Sequence, residues 1–302
     1  MLKYQGEEAG REALFELYAA YTNASETLLV EINSSLAEPA TISITGVDKA
    51  ASALHLLVVT KPQVEATLVL DYRGIGVLGE NVEISVGDQS RLNLVSVQTW
   101  DKGSVHVSAH YAKLGRNSFL KHTVATFGGD LVRITPISTL SSPGAEVEMN
   151  GVYFANSGQH IENRPFVDHA APNCKSRVTY KGALSGDKAH TVWIGDVLIR
   201  VAAEGTDTYE LNRNLLLTDG TRADSVPNLE IETGEIQGAG HASASGRFDD
   251  EQLFYLQARG VTEAEAKRLV VFGFLLELIQ RTNVPEVIES LSKVLEEKLE
   301  VN

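Results

Sequence analysis

Cysteine is almost absent from this sequence, since Cys174 is the only one in 302 residues. A lone cysteine excludes an internal disulfide and falls far short of the about four Cys or His ligands of a structural zinc or iron–sulfur centre. Such low cysteine usage is typical of a reducing compartment. Cys174 lies beside a proline in AAPNCKS, and we predict a partly exposed, unactivated thiol with only Lys175 and Arg177 nearby to lower its pKa.

Basic charge is also scarce, and long apolar runs are missing. The 40 acidic and 26 basic residues give a formal net charge of −14, which disfavours binding to nucleic acid or to an anionic membrane surface. No apolar run reaches the roughly 18 residues that a membrane-spanning helix needs, and the N-terminus lacks a secretory signal pattern. We therefore expect a cytoplasmic protein with neither nucleic acid nor membrane among its partners.

The helical segments that would link parallel strands in an α/β fold are absent from the long central part of the chain. From Glu26 to about Ser245 the sequence consists of alternating apolar and polar segments of roughly four to eight residues, such as TLLVEI, ATLVLDY, RLNLVSV and HTVWIG. Turn formers separate these segments at intervals of roughly 12 to 19 residues. The pattern predicts a mainly β protein and is compatible with a sandwich, a barrel or a stacked solenoid.

A weak internal similarity favours the solenoid among these three. The segment that starts at His122 resembles the segment that starts at His190, at an offset of 68 residues that shrinks by one at Arg133 and Arg200. If one rung takes on the order of 20–25 residues, this offset equals about three rungs. Two strands of similar composition would look the same, so the repeat is one of two open interpretations.

Near Gly246 the spacing of apolar residues changes to the helical period, which predicts three C-terminal helices. Gly260 is expected to end the first of them. Thr262 and Glu265 form a capping box at the start of the second, and the third begins near Pro285.

The predicted domain organisation has three parts. A short N-terminal helical segment covers residues 1–25, with an amphipathic helix at 7–20. The β-helix core covers residues 26–246, and the helical region covers residues 247–302.

No motif of a known catalytic class is present in the sequence. A Gly-x-Ser-x-Gly elbow and a His-Glu-x-x-His motif are missing, and the glycines at 234–240 have no lysine behind them as a phosphate loop requires. The acidic pair at 249–250 is better explained by helix capping than by acid/base catalysis. We therefore expect no enzymatic activity, and a β-helical carbohydrate-active enzyme is the least favoured hypothesis.

The eight histidines are scattered along the chain. His106 and His110 lie in SVHVSAHYA, whose alternation favours packed or surface histidines on a strand over a metal site. His160 and His169 flank IENRPFVD, whose polar residues are better suited to bonding neighbouring turns than to holding a ligand.

Three segments in the second half of the chain carry a family resemblance. They are NGVYFANSGQHIENRPFVDHAAPNCKSRVTYKGAL (150–184), LLLTDGTRADSVPNLEIETGEIQGAGHASASGRFDDEQLFYLQARGV (215–261) and AEAKRLVVFGFLLELI (264–279). They resemble the SufB/SufD family of iron–sulfur cluster assembly scaffold subunits, SufD most of all. The similarity is weaker but continuous from about residue 14 to 149.

This resemblance implies a right-handed parallel β-helix followed by helices. It also implies pairing with a SufB-like subunit through the β-helix, or with a second copy of the chain, and docking of the SufC ATPase by the helical region. A transient iron–sulfur cluster is expected at the subunit interface, and no tightly bound cofactor in the chain itself.

The resemblance also assigns site residues. His241 in GAGHASASG corresponds to a histidine that faces the SufB interface in SufD-like members, where neutral imidazole could coordinate iron; the alternative is a packed strand residue. Ala239 stands where some relatives have cysteine, which favours a SufD-type over a SufB-type subunit. The residues that resemble the SufC-binding segment are Asp249, Asp250, Glu251, Gln252, Phe254, Tyr255, Arg259 and Gly260.

Two alternatives remain open at this point. Phe254 and Tyr255 would either anchor SufC or pack the helix onto the last rung. Only about 25 residues precede the first strand-like segment, where SufD proteins usually carry a longer helical segment. We expect either a shortened chain or a core-only branch, in which a SufB-like homodimer acts with SufC; Ala239 weighs against such a homodimer.

Overall fold

The computed structural model describes residues 26–248 and 250–300. Over these residues the chain forms a parallel β-solenoid of about eight turns followed by three helices, which confirms the predicted mainly β fold with a helical C-terminal region. The strands are β1 Thr27–Ile32, β2 Ala40–Thr60, β3 Glu65–Val86, β4 Arg91–Trp100, β5 Val105–Leu114, β6 Phe119–Thr126, β7 Leu131–Leu140, β8 Glu146–Ala155, β9 His160–Asn163, β10 Phe166–His169, β11 Lys175–Leu184, β12 His190–Ile199, β13 Asp207–Leu216, β14 Arg222–Ile231 and β15 Gly238–Gly246. The helix predicted at residues 7–20 lies outside the described residues.

Each turn of the solenoid contributes strands to two faces. The first face contains the N-terminal halves of β2 and β3, followed by β4, β6, β8, β11, β13 and β15. The second face contains β1, the C-terminal halves of β2 and β3, then β5, β7, the short strands β9 and β10, β12 and β14. Neighbouring strands are parallel, so each rung lies in register on the rung before it.

A rung is longer than the sequence suggested. Val105 pairs with Leu131, and His190 pairs with Arg222, so one turn takes between 26 and 32 residues instead of 20–25. Of the two open interpretations of the internal similarity, the repeat of rungs is wrong, because His122 lies on the first face and His190 on the second. The two segments are strands of similar composition, and turn loops of varying length set the repeat.

Side-chain alternation places one set of residues inside the solenoid. On the first face the register partners Leu68, Leu94, His122, Met149 and Val178 form a buried column, one residue per rung. Because successive residues of a strand point to opposite faces, the residues between them point outward. The apolar core of the solenoid is built from such columns on both faces.

One corner of the solenoid is a stack of left-handed turn residues. Gln63, Gln89, Asn117 and Asn173 have φ angles between 50° and 62°. Each donates its backbone N–H to a carbonyl of the next turn, at distances of 2.7 to 3.1 Å. The corner therefore continues the ladder of hydrogen bonds where the strands end.

The helical region has the elements that the sequence predicts. The helices are α1 Asp250–Gln257, α2 Glu263–Gln280 and α3 Pro285–Glu300. Thr262 is the N-cap of α2, and its hydroxyl accepts a hydrogen bond from the backbone N–H of Glu265 at 3.3 Å. Within the described residues, no helix combines the length and the apolar character needed to span a lipid bilayer.

Helices α2 and α3 cover the outer side of the first face. Leu275 and Leu278 of α2 and Leu291 of α3 are fully buried, and they share one apolar cluster with Val95 and Phe154 of the solenoid. The helical region is thus packed on the solenoid through α2 and α3.

Candidate functional site

The last rung of the solenoid is formed by β14 on the second face and β15 on the first. Among the described strands, β14 is hydrogen-bonded only to β12 and β15 only to β13. One edge of each strand therefore has no strand beside it in this part of the chain. Open parallel edges of this kind are available for pairing with another chain.

His241 lies on this last rung and is exposed. Its register partner on β13 is Glu210, which continues the inward-facing column of the first face. The hydroxyl of Ser243 contacts the hydroxyl of Ser225 on the opposite face at 2.7 Å, and Ser245 accepts a bond from Asn214 at 3.2 Å. Alternate residues of a strand lie on the same side, and His241 is separated from Ser243 and Ser245 by even numbers of positions. It therefore belongs to the inner side of β15, at the open end of the solenoid.

Glu210, one rung below His241, is an isolated buried carboxyl. It is 1% exposed, and neither carboxyl oxygen has a hydrogen-bond partner within the described part of the chain. Its side chain reaches the opposite face, where a Cβ at Gly195 would lie 2.6 Å from Oε2. Burial and, to a lesser degree, the charge of Asp196 raise the pKa of Glu210 to about 8.

Sequence reasoning missed Glu210, although a signal was present. In the segment TYELNRN it alternates with the outward-facing Tyr209 and Leu211, so strand alternation alone assigns a charged residue to the interior. The inner residues around it are also polar. Asn212 donates to the hydroxyl of Tyr153 at 3.0 Å, and Ser225 donates to Asn212 at 2.8 Å.

The thiol is not part of this end of the molecule. Cys174 was predicted to be partly exposed, and this is wrong: it is 1% exposed in the corner before β11. Its sulfur lies 3.4 Å from the carbonyl oxygen of Ser142, and burial raises the pKa of Cys174. Arg177 and Lys175 form ion pairs with Asp207, at 2.6 and 3.7 Å, so their charges are directed to a carboxylate.

Helix α1 presents the aromatic residues of the predicted SufC-binding segment to solvent. Phe254 is 73% and Tyr255 is 55% exposed, so neither is buried against the last rung. The guanidinium of Arg259 stacks on the ring of Tyr255 at 4.4 Å. The helix ends at Gln257, three residues before the predicted Gly260, which lies in the following turn with φ of 89°. Glu251 is exposed, whereas Asp249 and the side chains of Asp250 and Gln252 lie outside the described part. The partner-binding role of the segment stays a prediction.

A groove of about 840 Å³ separates α1 from the outer side of the last rungs. Apolar residues of α1 and α2 line one wall, including Leu256 and Phe274. Arg213, Arg247 and Lys181 lie along the solenoid wall. The groove thus has one apolar wall, and two of its basic residues are paired with carboxylates, Lys181 with Glu277 and Arg247 with Asp219.

Three of the histidines meet in the solenoid interior near its N-terminal end. His106 Nε2 lies 3.2 Å and His110 Nε2 3.8 Å from Glu80, and His110 Nδ1 lies 3.0 Å from His122 Nε2. All four side chains are at most 2% exposed, so the histidines are packed, the alternative that the sequence favoured. Although burial favours the neutral acid, the hydrogen bond with His106 and the proximity of His110 lower the pKa of Glu80 well below its ordinary value.

Two further pairs involve the histidines near the middle of the chain. His160 Nδ1 lies 3.1 Å from His190 Nδ1, and His190 Nε2 lies 2.8 Å from Asp224. His169 is buried, with Nε2 2.9 Å from the hydroxyl of Ser176. Nowhere in residues 26–248 and 250–300 do three His, Cys, Asp or Glu side chains form a group that could hold a metal ion. The metal role of His241 stays a prediction.

Comparison with known proteins gives consistent matches. The family described as "SUF system FeS cluster assembly, SufBD core domain" matches residues 42–274. An iron–sulfur cluster assembly SufBD family protein of Mycobacterium tuberculosis is 52% identical over 286 residues, which are 92% of this chain and 72% of that protein. A second SufBD family protein of the same organism is 26% identical over 219 residues, 72% of this chain and 26% of that protein. The iron–sulfur cluster assembly protein SufD of Escherichia coli is 29% identical over 153 residues, 51% of this chain and 36% of that protein.

Proposed function

The chain belongs to the SufBD family of the SUF iron–sulfur cluster assembly system, and from this membership we propose that it is a SufD-like, non-enzymatic scaffold subunit. In this role it pairs with a SufB-like subunit through the last rung and binds the SufC ATPase through α1. The iron–sulfur cluster is a cargo that is assembled at the subunit interface. His241 is the ligand that this chain contributes there.

The observation that carries this proposal is the presence of two separate surfaces at one end of the molecule. The last rung has open strand edges and an exposed His241, whereas α1 has the exposed Phe254 and Tyr255. Edge strands favour pairing by backbone hydrogen bonds, and exposed aromatic residues are frequent anchors of protein interfaces. Each surface therefore suits one partner.

A SufD-like role is favoured over a SufB-like homodimer by the lack of a thiolate at this end. Ala239 lies two residues before His241 on β15, and the sole cysteine of the sequence, Cys174, is buried in another rung. Thiolates are the usual ligands of iron–sulfur clusters. The partner subunit must therefore supply the cysteine ligands, and this chain the imidazole.

Two SufBD family proteins of Mycobacterium tuberculosis match this chain, and their identities to it differ strongly, at 52% and 26%. Two family members in one organism are compatible with a heteromeric scaffold. We expect this chain to correspond to the first of them and its partner to the second.

The proposal is tested by co-purification of the full chain with the SufB-like and SufC proteins of the same organism. We expect the wild-type chain to bind both. Replacing both exposed aromatics, Phe254→Ala with Tyr255→Ala, should reduce SufC binding at least tenfold and leave binding of the SufB-like subunit unchanged.

The matched control is Val201→Ala, which removes a side chain that is 67% exposed in a turn far along the chain from α1. This control should bind SufC like the wild type. Failure of the wild-type chain to bind either protein would contradict the proposed function. Full SufC binding by the double variant would refute the assignment of α1.

A further inference from the structure

The interior of the solenoid at its last two rungs, here called the lumen end, contains a second residue that could bind a metal ion and that family membership does not assign. We propose that Glu210 and His241 together form an acceptor site for a mononuclear divalent iron ion, with His241 at the entrance and Glu210 one rung inside. This inference rests on the proposed function, in which iron is the cargo. It adds that iron binds as a single Fe²⁺ ion before a cluster is assembled, and that Glu210 is the residue that receives this ion.

The register of the last two rungs makes the two residues neighbours. Glu210 and His241 are direct partners in the parallel ladder between β13 and β15, and both belong to the inward-facing column. Neighbouring strands lie about 4.8 Å apart. A metal ion bound by nitrogen and oxygen ligands lies about 2.0–2.2 Å from each donor, and the flexible glutamate side chain can span the remaining distance.

The burial of Glu210 is costly unless a ligand or partner satisfies it. Its carboxyl group is 1% exposed and lacks a hydrogen-bond partner among the described residues, whereas its inner neighbours Asn212 and Asn214 are hydrogen-bonded to each other at 2.7 Å. The nearby indole Nε1 of Trp193 also has no partner in this part of the chain, and both side chains lie against Gly195. A glutamine or an apolar residue would fill the position at lower cost. Unpaired buried ionisable groups of this kind concentrate at functional sites.

The donor set selects the class of ligand. One imidazole and one carboxylate suit a borderline divalent cation such as Fe²⁺. The hydroxyls of Ser225 and Ser243 lie one inward-facing column further along the strands, at the level of Asn212. The only thiol, Cys174, is buried in a corner and is 1% exposed. A preformed cluster, which prefers thiolates, would therefore find one suitable ligand here, whereas a single Fe²⁺ finds two.

The test measures metal binding by the full chain alone, with Co²⁺ as an oxygen-stable probe for Fe²⁺ in visible absorption titrations. We expect the wild-type chain to bind one equivalent of Co²⁺. Glu210→Gln and His241→Ala should each weaken this binding at least tenfold. The matched control is Glu230→Gln, an exposed glutamate of β14, which should bind Co²⁺ like the wild type.

Two results would overturn the inference: the absence of saturable Co²⁺ binding by the wild-type chain, or unchanged binding by Glu210→Gln. Thermal unfolding checks that each variant is folded. If Glu210→Gln does not fold, Glu210→Asp retains the carboxylate but shortens the side chain, and it must then weaken Co²⁺ binding.

Co-purification with the SufB-like and SufC proteins separates this inference from the proposed function. Glu210→Gln, at a buried position one rung below the open strand edges, should still co-purify with both partners. If it does so while Co²⁺ binding is unaffected, only the iron site is refuted. If the wild-type chain fails to co-purify, the proposed function itself is refuted.

Discussion

Polar side chains inside the solenoid are mostly satisfied by one another. Tyr153 donates its hydroxyl hydrogen to Asn214 at 2.8 Å, and Tyr72 and Ser108 donate to Glu80 at 2.8 and 2.7 Å. Burial of such groups is tolerated because each lost contact with water is replaced by a hydrogen bond. Among the buried carboxyl groups of residues 26–248 and 250–300, Glu210 is the one whose two oxygens both lack a hydrogen-bond partner, whereas the Glu80 carboxylate accepts hydrogen bonds.

The buried His169 gives a prediction of pH-dependent stability. Burial lowers its pKa from 6.5 to about 4, so the folded chain keeps it neutral while the unfolded chain binds a proton below pH 6.5. The contribution of neutral His169 to the free energy of unfolding is fully present above about pH 6.5 and is lost as the pH falls towards 4. Between pH 7 and 4.5 the free energy of unfolding of His169→Gln should therefore fall by up to about 3 kcal/mol less than that of the wild type, as measured by urea unfolding. Equal loss in both proteins would refute it.

At the scale of the strand, glycines make room for aromatic rings of the neighbouring rung. Gly151 of β8 is the register partner of Tyr180, and Gly182 of β11 is the partner of Tyr153. A Cβ at either glycine would lie 1.9 Å from the ring of the tyrosine opposite it. The two rings thus fill the lumen above glycines, which explains glycine in positions where strands normally have larger residues.

Gly151→Ala should destabilise the protein, because the added methyl group overlaps the ring of Tyr180. Overpacking of a well-filled core costs about 1–3 kcal/mol. The measurement is the midpoint of urea unfolding. Gly238→Ala is the matched control, since nothing lies within 4 Å of its added Cβ, and it should change the midpoint little. An unchanged midpoint for Gly151→Ala would contradict the packing described here.

At the scale of the whole molecule, the solenoid and the helical region share one core. The outer residues of the first face, including Val95, Phe127 and Phe154, are buried under α2 and α3. Lys181 of β11 also pairs with Glu277 of α2 and lies 4.8 Å from the centre of the Phe274 ring. Helices α2 and α3, which follow the proposed SufC-binding segment on α1, are therefore packed firmly on the first face of the solenoid.

Leu275→Ala should accordingly destabilise the solenoid as well as the helices. Truncation of a fully buried leucine costs about 2–5 kcal/mol. In hydrogen exchange, we expect faster exchange of amides in both β8 and α2, with a single unfolding transition. The control Leu269→Ala, at a residue of the same helix that is 45% exposed, should have a much smaller effect. Faster exchange in α2 alone would show that the two regions unfold independently.

The sequence by itself determined the elements and the family. Alternation of apolar residues indicates the strands, and the Thr262 cap and the helical spacing after Gly246 indicate the helices, because these signals depend on residues only a few positions apart. The same local alternation assigns Glu210 to the interior once its strand is recognised. The motifs in residues 150–279 carried the family resemblance, which the match to residues 42–274 confirms.

Only the tertiary structure decided which rungs lie on each other. The register that joins Glu210 to His241 links residues 31 positions apart, and it depends on the lengths of both turn loops between them. For the same reason the rung length could not be predicted correctly, and the similarity around His122 could not be assigned to one of its two interpretations. The burial of Cys174 could not be read from its neighbours in sequence, since the rungs before and after it exclude the solvent. In a solenoid, burial and strand pairing depend on contacts between successive turns. A local sequence pattern does not indicate which residues of two turns are in contact.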